Sequence, residues 1–194
     1  MNKTKKNKSK YIYIFGYGSL THDEDRKETT TNHYPATPVI INKSFNHTRS
    51  YLTLNDNEYL PIRAMGLTKS KGNLITGSIF KIPPSVSKRL NQRERHYKKI
   101  RIPWKHVSIY NNDKINKSIP LYTYEANPSH IRLKNIKPWE YYLDLTIMGH
   151  LQYGVDFTKL FFKSCKNLPE SHSSYEKWLK SNTVFSYHKD KWNI

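Results

Sequence analysis

Tyr11-Ile12-Tyr13-Ile14-Phe15-Gly16-Tyr17-Gly18-Ser19-Leu20 is the stretch on which the fold turns. Residues 11–16 are β-branched and aromatic, and a glycine breaks the run. That pattern predicts a buried strand ending in a tight turn. Gly16 and Gly18 remove side-chain bulk, so backbone N–H groups can approach a ligand closely and the chain can adopt positive φ. Successive N–H groups in such a turn form a nest for a carboxylate or phosphate. It is not the dinucleotide pattern, because the third glycine is missing and no clear helix follows. The same residues also fit a plain strand-to-loop turn, with glycines for geometry alone. Spacing leaves both readings open.

Outward from this stretch, residues 21–36 are polar and read as a loop with at most a short helical turn. Val39-Ile40-Ile41 and Tyr51-Leu52-Thr53-Leu54 read as strands, followed by a turn at Asn55-Asp56-Asn57. Residues 58–82 read as strand, turn at Lys69 to Asn73, and strand. The glycine inside the second strand, Gly77, suggests a bulge or a close backbone approach. Ser85 to Arg95 reads as a helix with Ser85 as N-cap. Residues 100–110 and 119–125 read as strands, with Asn111 to Ser118 as a polar hairpin connection. Pro138 opens a second helix, on which Trp139, Leu143, Ile147 and Leu151 recur at four-residue spacing as one apolar face. Asp156 is placed to cap a third helix carrying Phe157, Leu160 and Phe161. Many strands with a few helices give an α+β class.

The second candidate site is a carboxylate. Val86, Leu90 and Glu94 are four apart and share one face of the predicted helix. If Val86 and Leu90 face the core, Glu94 is carried inward with them. An inward carboxylate loses water and its pKa rises, which prepares a general base near neutral pH. Arg93 and Arg95 should point away from that face. The alternative is a core Glu satisfied by an Arg or by backbone donors, and spacing alone does not exclude it.

The chain has 194 residues, one domain by length and enough to bury a sizeable core. Hydrophobic residues make up 36% and aromatics 13%. The low apolar fraction points towards disorder and the aromatic content away from it, since disordered chains are poor in Tyr, Phe and Trp. We expect a basic disordered tail at 1–10, a domain at 11–168, and a partly ordered extension at 169–194 that packs on it, with Tyr175, Trp178, Phe185, Tyr187 and Trp192 scattered through polar residues. The formal charge of +18 suggests nucleic acid or an anionic surface. The excess is mostly Lys accompanied by Asn, Ile and Tyr, the set favoured by coding DNA rich in A and T. We read it as compositional drift rather than a nucleic-acid surface. Cys165 is the one cysteine, so no disulfide forms within a single chain, which suits a reducing compartment. It reads as a structural thiol rather than a nucleophile. Nine histidines show no zinc or metalloprotease spacing, so no metal is expected. The apolar run after the Lys-rich start lacks a small-residue cleavage site, and no segment has the length to span a membrane. The expectation is a cytoplasmic protein.

Taken together, Tyr-Ile-Phe-Gly-Tyr-Gly-Ser-Leu, the glycine-containing strand downstream, Leu90-Asn91-Gln92-Arg93-Glu94-Arg95-His96-Tyr97, and the late Leu121-Tyr122-Thr123-Tyr124 with its following helix resemble the γ-glutamylcyclotransferase-like superfamily. The resemblance covers roughly residues 11–165. It implies a small β-barrel with packed helices and cyclisation of a γ-glutamyl group to 5-oxoproline, with no metal or cofactor. It implies that Gly16, Tyr17, Gly18, Ser19 and Leu20 hold the γ-glutamyl group and that Glu94 is the acid/base. Tyr124, at the end of a predicted strand, lines the pocket or sits in the core. Arg95 stands where many members carry Gly, and its side chain could occlude the pocket. Thr21-His22 stand where the glutathione-specific branch carries an apolar residue and Trp. The substrate therefore stays open among γ-glutamyl compounds, for a monomer or homodimer. The rival is a non-catalytic basic protein that uses the same fold to bind nucleic acid. Arg49 and Arg63 read as residues near the mouth or, by default, as solvated surface positions.

Overall fold

A computed structural model describes residues 10–54, 61–132 and 136–181. The expected tail, the turn at 55–57 and the aromatics beyond 181 lie outside the described residues. In chain order the elements are β1 (Ile12–Gly16), α1 (Asp23–Thr30), β2 (Ala36–Ile41), β3 (His47–Leu54), β4 (Ile62–Lys69) and β5 (Ile75–Ile82). There follow α2 (Pro84–Arg93), β6 (Tyr97–Ile102), β7 (Val107–Ile109), β8 (Leu121–Ala126), β9 (Ile131–Arg132), α3 (Glu140–Leu151), α4 (Val155–Ser164), β10 (Cys165–Lys166) and α5 (Tyr175–Ser181).

The strands form two sheets. One has the order β6-β8-β1-β5-β2-β7, and the other β10-β3-β4 with β9 beside β3. β1 lies inside the larger sheet, antiparallel to β5 and parallel to β8. Its two faces feed two cores. Tyr13 and Phe15 join the cluster that includes Leu143, Ile147 and Phe161, and Ile14 joins Leu20, Phe80, Leu90 and Tyr124. A strand buried on both faces has no polar alternation, which is why the run reads as uninterrupted apolar sequence.

The barrel expectation is not confirmed: no ladder closes the larger sheet among the described residues. The edge strand β6 carries Lys98, Lys99 and Arg101, and β7 is only three residues long, two features that discourage edge pairing. The sheet is nonetheless strongly curled. β6 and β7 lie at opposite edges but are joined by residues 103–106 alone. That link spans at most about 18 Å, whereas a flat sheet would put the edges about 24 Å apart. Asn111 to Ser118 is therefore no hairpin, since β7 pairs with β2 while β8 pairs with β1 and β6.

The polar stretch 21–36 contains α1. Its signals are Asp23, Glu24 and Asp25 in the first turn, complementing the helix dipole. Its anchor is Arg26, 1% exposed, which donates to the carbonyls of Leu20, Thr21 and Tyr34 and pairs with Asp23. No apolar stripe announces such a helix. At α2 the cap is Pro83, with Pro84 in the first turn, and Ser85 makes no cap bond. Asp156 lies in the first turn of α4, whose N-cap is Gly154 at φ +102°. Trp139 precedes α3 and is half exposed, while Leu143, Ile147 and Leu151 are buried as expected. Gly77 answers to close approach: an added Cβ would stand 2.2 Å from the Gly16 carbonyl oxygen and 2.6 Å from the Phe15 ring. α5 seats Trp178 fully in the core, where its indole N–H donates to Asp144 at 2.8 Å, and His172 binds the same carboxylate oxygen at 3.1 Å.

Candidate active site

The turn after β1 and the end of α2 meet in one pocket. Phe15, Gly16, Tyr17, Gly18 and Leu20 form one wall, and Met65, Glu94, Tyr97, Tyr124 and Tyr142 complete it. Its empty space is about 320 Å³, including the mouth. The glycines serve closeness, not positive φ. Gly18 has φ −118°, and a Cβ there would stand 2.6 Å from the Tyr142 hydroxyl oxygen and 3.2 Å from the Met65 Cβ. A short 3₁₀ turn, Ser19–Thr21, begins directly after Gly18. Its leading amides have no helical carbonyl to bind, and Gly18 and Leu20 on either side of Ser19 line the pocket.

Glu94 is not within the helix. It is the residue just past α2, at φ −87° and ψ 32°, with its N–H on the Leu90 carbonyl. That i→i−4 bond sets Glu94 one turn above the buried Leu90, so its carboxyl group keeps the inward face of the helix and lines the pocket. Arg93, the last residue of α2, reaches the same place through its long side chain, correcting the expectation that it points away. Arg93 Nε lies 3.8 Å from Glu94 Oε1. Arg93 Nη2 donates to Ser19 Oγ and to Asp25 Oδ2, both at 3.1 Å, and Nη1 donates to Thr29. Helix α1 thus holds the arginine that stands beside Glu94.

The Glu94 side chain is 15% exposed. Burial pushes its pKa up to about 7, against the pull of the Arg93 guanidinium and with a smaller push from Asp25. Four tyrosines surround it. The Tyr17 hydroxyl donates to the Tyr124 carbonyl at 2.7 Å, Tyr97 to the Met65 carbonyl at 2.9 Å, and Tyr124 to Asn91 Oδ1 at 2.7 Å. The Tyr142 hydroxyl accepts from the Met65 N–H at 3.1 Å. Burial first, and Glu94's charge in addition, raise all four phenols above their ordinary range, so they stay neutral. The pocket therefore holds a group able to take and return a proton near neutrality, set among buried phenols.

Of the residues expected at the site, Gly16, Tyr17, Gly18, Leu20, Tyr124 and Glu94 line the pocket. Ser19 is not among the lining residues; its buried hydroxyl is taken by Arg93. Tyr97, Tyr142, Met65 and Arg93 were not anticipated. Tyr97 had a signal, as the tyrosine three residues after Glu94, whereas Tyr142 and Met65 arrive from distant elements. Arg95 is exposed and lies outside the pocket lining. Among the described residues no three His, Cys, Asp or Glu side chains cluster as metal ligands.

Arg49 and Arg63 are buried, not solvated. Arg49 is fully enclosed and donates to the carbonyls of Tyr17, Thr76 and Phe161 and to the hydroxyls of Thr76 and Ser164. It pins the substrate-loop candidate from behind through Tyr17. Burial and Arg49 hold His150 down to about 3. His150 is thus neutral, donates from Nδ1 to Thr146 at 2.8 Å, and accepts from Arg49 at Nε2. Cys165 is half-buried behind the pocket, 3.6 Å from the Met65 sulfur, with its thiol pushed up to about 11 by burial.

No protein-family model matches the sequence, and no curated protein matches it by sequence. Solved structures do match its shape. An uncharacterized protein from Homo sapiens aligns with a TM-score of 0.60 at 14% identity, covering 89% of this chain and 98% of its own. A γ-glutamyl cyclotransferase aligns at 0.59 and 14%, covering 88% and 97%. A γ-glutamyl cyclotransferase specific to glutathione, from yeast, aligns at 0.54 and 16%, covering 79% and 95%. The chain has the fold of the γ-glutamylcyclotransferase-like superfamily.

Proposed function

We propose that the chain cyclises a γ-glutamyl group to 5-oxoproline and releases the attached amine. The observation that carries this reading is Glu94, with its pKa near 7, facing the Gly16–Leu20 turn across one small pocket. The substrate brings its own nucleophile, the α-amine, so no activated Ser or Cys is required. The α-ammonium gives one proton to solvent, and as the neutral amine attacks the γ-carbonyl carbon Glu94 takes the second proton that its nitrogen sheds. A five-membered lactam forms, the bond to the leaving nitrogen breaks, and Glu94 returns the proton to that nitrogen. Protons balance and no redox partner is involved. Backbone amides of the turn hold the α-carboxylate and the developing oxyanion. The tyrosine wall holds the bent conformer in which amine and carbonyl meet, which supplies the entropic part of the barrier.

The test is 5-oxoproline release from a panel of γ-glutamyl amino acids, γ-glutamyl-ε-lysine and glutathione, with the parent protein and Glu94→Gln. The expected result is release by the parent from at least one substrate and a loss of 100-fold or more in the variant, on the order of a general acid/base contribution. No release from any of them by folded protein would overturn the reading.

A further inference from the structure

Helix α1 meets the candidate active site through one arginine. Arg93 Nη2 spends its two N–H groups on Asp25 Oδ2 and on Ser19 Oγ, each at 3.1 Å. Nη1 donates to Thr29, one turn further along α1. A guanidinium is a rigid plane, so these bonds fix where its remaining edge can be. That edge leaves Nε 3.8 Å from Glu94 Oε1, beyond hydrogen-bond distance. The Asp25 and Glu94 carboxyl groups are both largely buried. They share one guanidinium, and Asp25 holds the hydrogen bond.

This division bears on what Glu94 can do. Arg93 and Asp25 are the charged groups that act on it, the first favouring its ionised form and the second opposing it. The other titratable groups facing it are the phenols of Tyr17 from the turn after β1, Tyr97 of β6, Tyr124 of β8 and Tyr142 of α3, all kept neutral by burial. None of them can take over as counter-charge to Arg93. A shift of about 1 Å would bring Nε to the distance of a charge-assisted bond with Glu94, which favours the ionised carboxylate by about one further pH unit.

Resting on Glu94 as the acid/base of the proposed cyclisation, we infer that Asp25 is a positioning residue: it keeps Arg93 on α1, one short step from an ion pair that would hold Glu94 as a carboxylate unable to take up the proton. Asp25 is not among the residues that line the pocket. It acts through Arg93, and the same arginine nitrogen holds Ser19 of the turn that faces Glu94. One carboxylate on α1 thus sets both the protonation of the base and the place of the turn.

The experiment follows the side-chain carboxyl carbon of Glu94 by carbon-13 NMR as pH is varied, with Glu94→Gln to assign the signal. The midpoint is read in the parent, Asp25→Asn, Arg93→Gln and the double variant, with thermal unfolding to verify that each is folded. Asn keeps the shape of Asp and removes its charge. Asp25→Asn is expected to lower the midpoint by about one pH unit or more, and Arg93→Gln to raise it. In the Arg93→Gln background the effect of Asp25→Asn is expected to shrink by half or more, since only the direct repulsion between the two carboxylates remains. Thr29→Ala loosens Arg93 with every charge kept; it is expected to lower the midpoint as well, and serves where Asp25→Asn fails to fold. The ascending limb of the pH profile for 5-oxoproline release is expected to move to lower pH with the midpoint. An Asp25 with a merely structural role would change the melting temperature and leave the midpoint where it is. An unmoved midpoint in Asp25→Asn, or an equal shift in both backgrounds, would overturn the inference even with turnover intact. Midpoints that move as expected in a protein that releases no 5-oxoproline would overturn the cyclotransferase reading, and Asp25's part in catalysis with it.

Discussion

Replacing Glu94 by Gln should stabilise the protein at alkaline pH while abolishing its proposed activity. The folded-state value of about 7 lies above the ordinary 4.5. Between those values the folded protein holds a proton that the unfolded chain has released. Stability therefore falls as pH rises through that window and stays lower above it. At about 1.4 kcal/mol per pH unit, the gap is worth about 3 kcal/mol. With the side chain 15% exposed, little of this is screened away by solvent. Gln has the same shape and no charge, so Glu94→Gln removes the dependence. In thermal unfolding of both proteins at pH 4 and pH 8, the Tm difference, variant minus parent, should grow by about 6–12 °C at the higher pH for a chain of this size. All other titrating groups cancel in that difference. An equal Tm difference at both pH values would show that Glu94 is not held in a desolvated site, and the base assignment would lose its physical ground.

Arg93→Gln should move the ascending limb of the pH profile for 5-oxoproline release to higher pH, because Arg93 pulls the Glu94 pKa down; an unmoved or acid-shifted limb contradicts the pairing. Gly18→Ala should lower stability by about 1–3 kcal/mol in urea unfolding, since the new methyl meets the Tyr142 hydroxyl and Met65 at contact distances shorter than packing allows. An unchanged midpoint would mean that Tyr142 is free to swing aside. Arg49→Met should cost at least about 3 kcal/mol, because the buried carbonyls of Tyr17, Thr76 and Phe161 lose their donor. A loss below about 1 kcal/mol would mean that water reaches them.

The sites that sequence reading found were those with a local cause. The β1 run is apolar because both its faces are covered, and the glycines that follow it answer to close packing at Leu20, Met65 and Tyr142. Glu94 was found from its spacing: it stands four residues after Leu90, and as the capping residue of α2 it still bonds the Leu90 carbonyl, which keeps it on the face that Leu90 buries. Helix α1 was missed because it is anchored by a buried arginine and not by an apolar stripe.

What the sequence by itself determined is the set of short-range commitments: a buried strand, a glycine turn after it, a helix leading to an Arg-Glu pair, and an α+β alternation of elements. These follow from periodicity, side-chain bulk and backbone preference, which act over a few residues. Only the tertiary structure decided which charged residues are buried and what faces them. Arg49 is enclosed by Tyr17, Thr76, Phe161 and Ser164, all far away in sequence, and Tyr142 reaches Glu94's pocket from a helix some fifty residues downstream. The shifted pKa of Glu94 belongs to the same category. Desolvation depends on which groups surround the carboxylate, and in this chain Tyr17, Tyr124 and Tyr142 are brought to it from distant elements by packing.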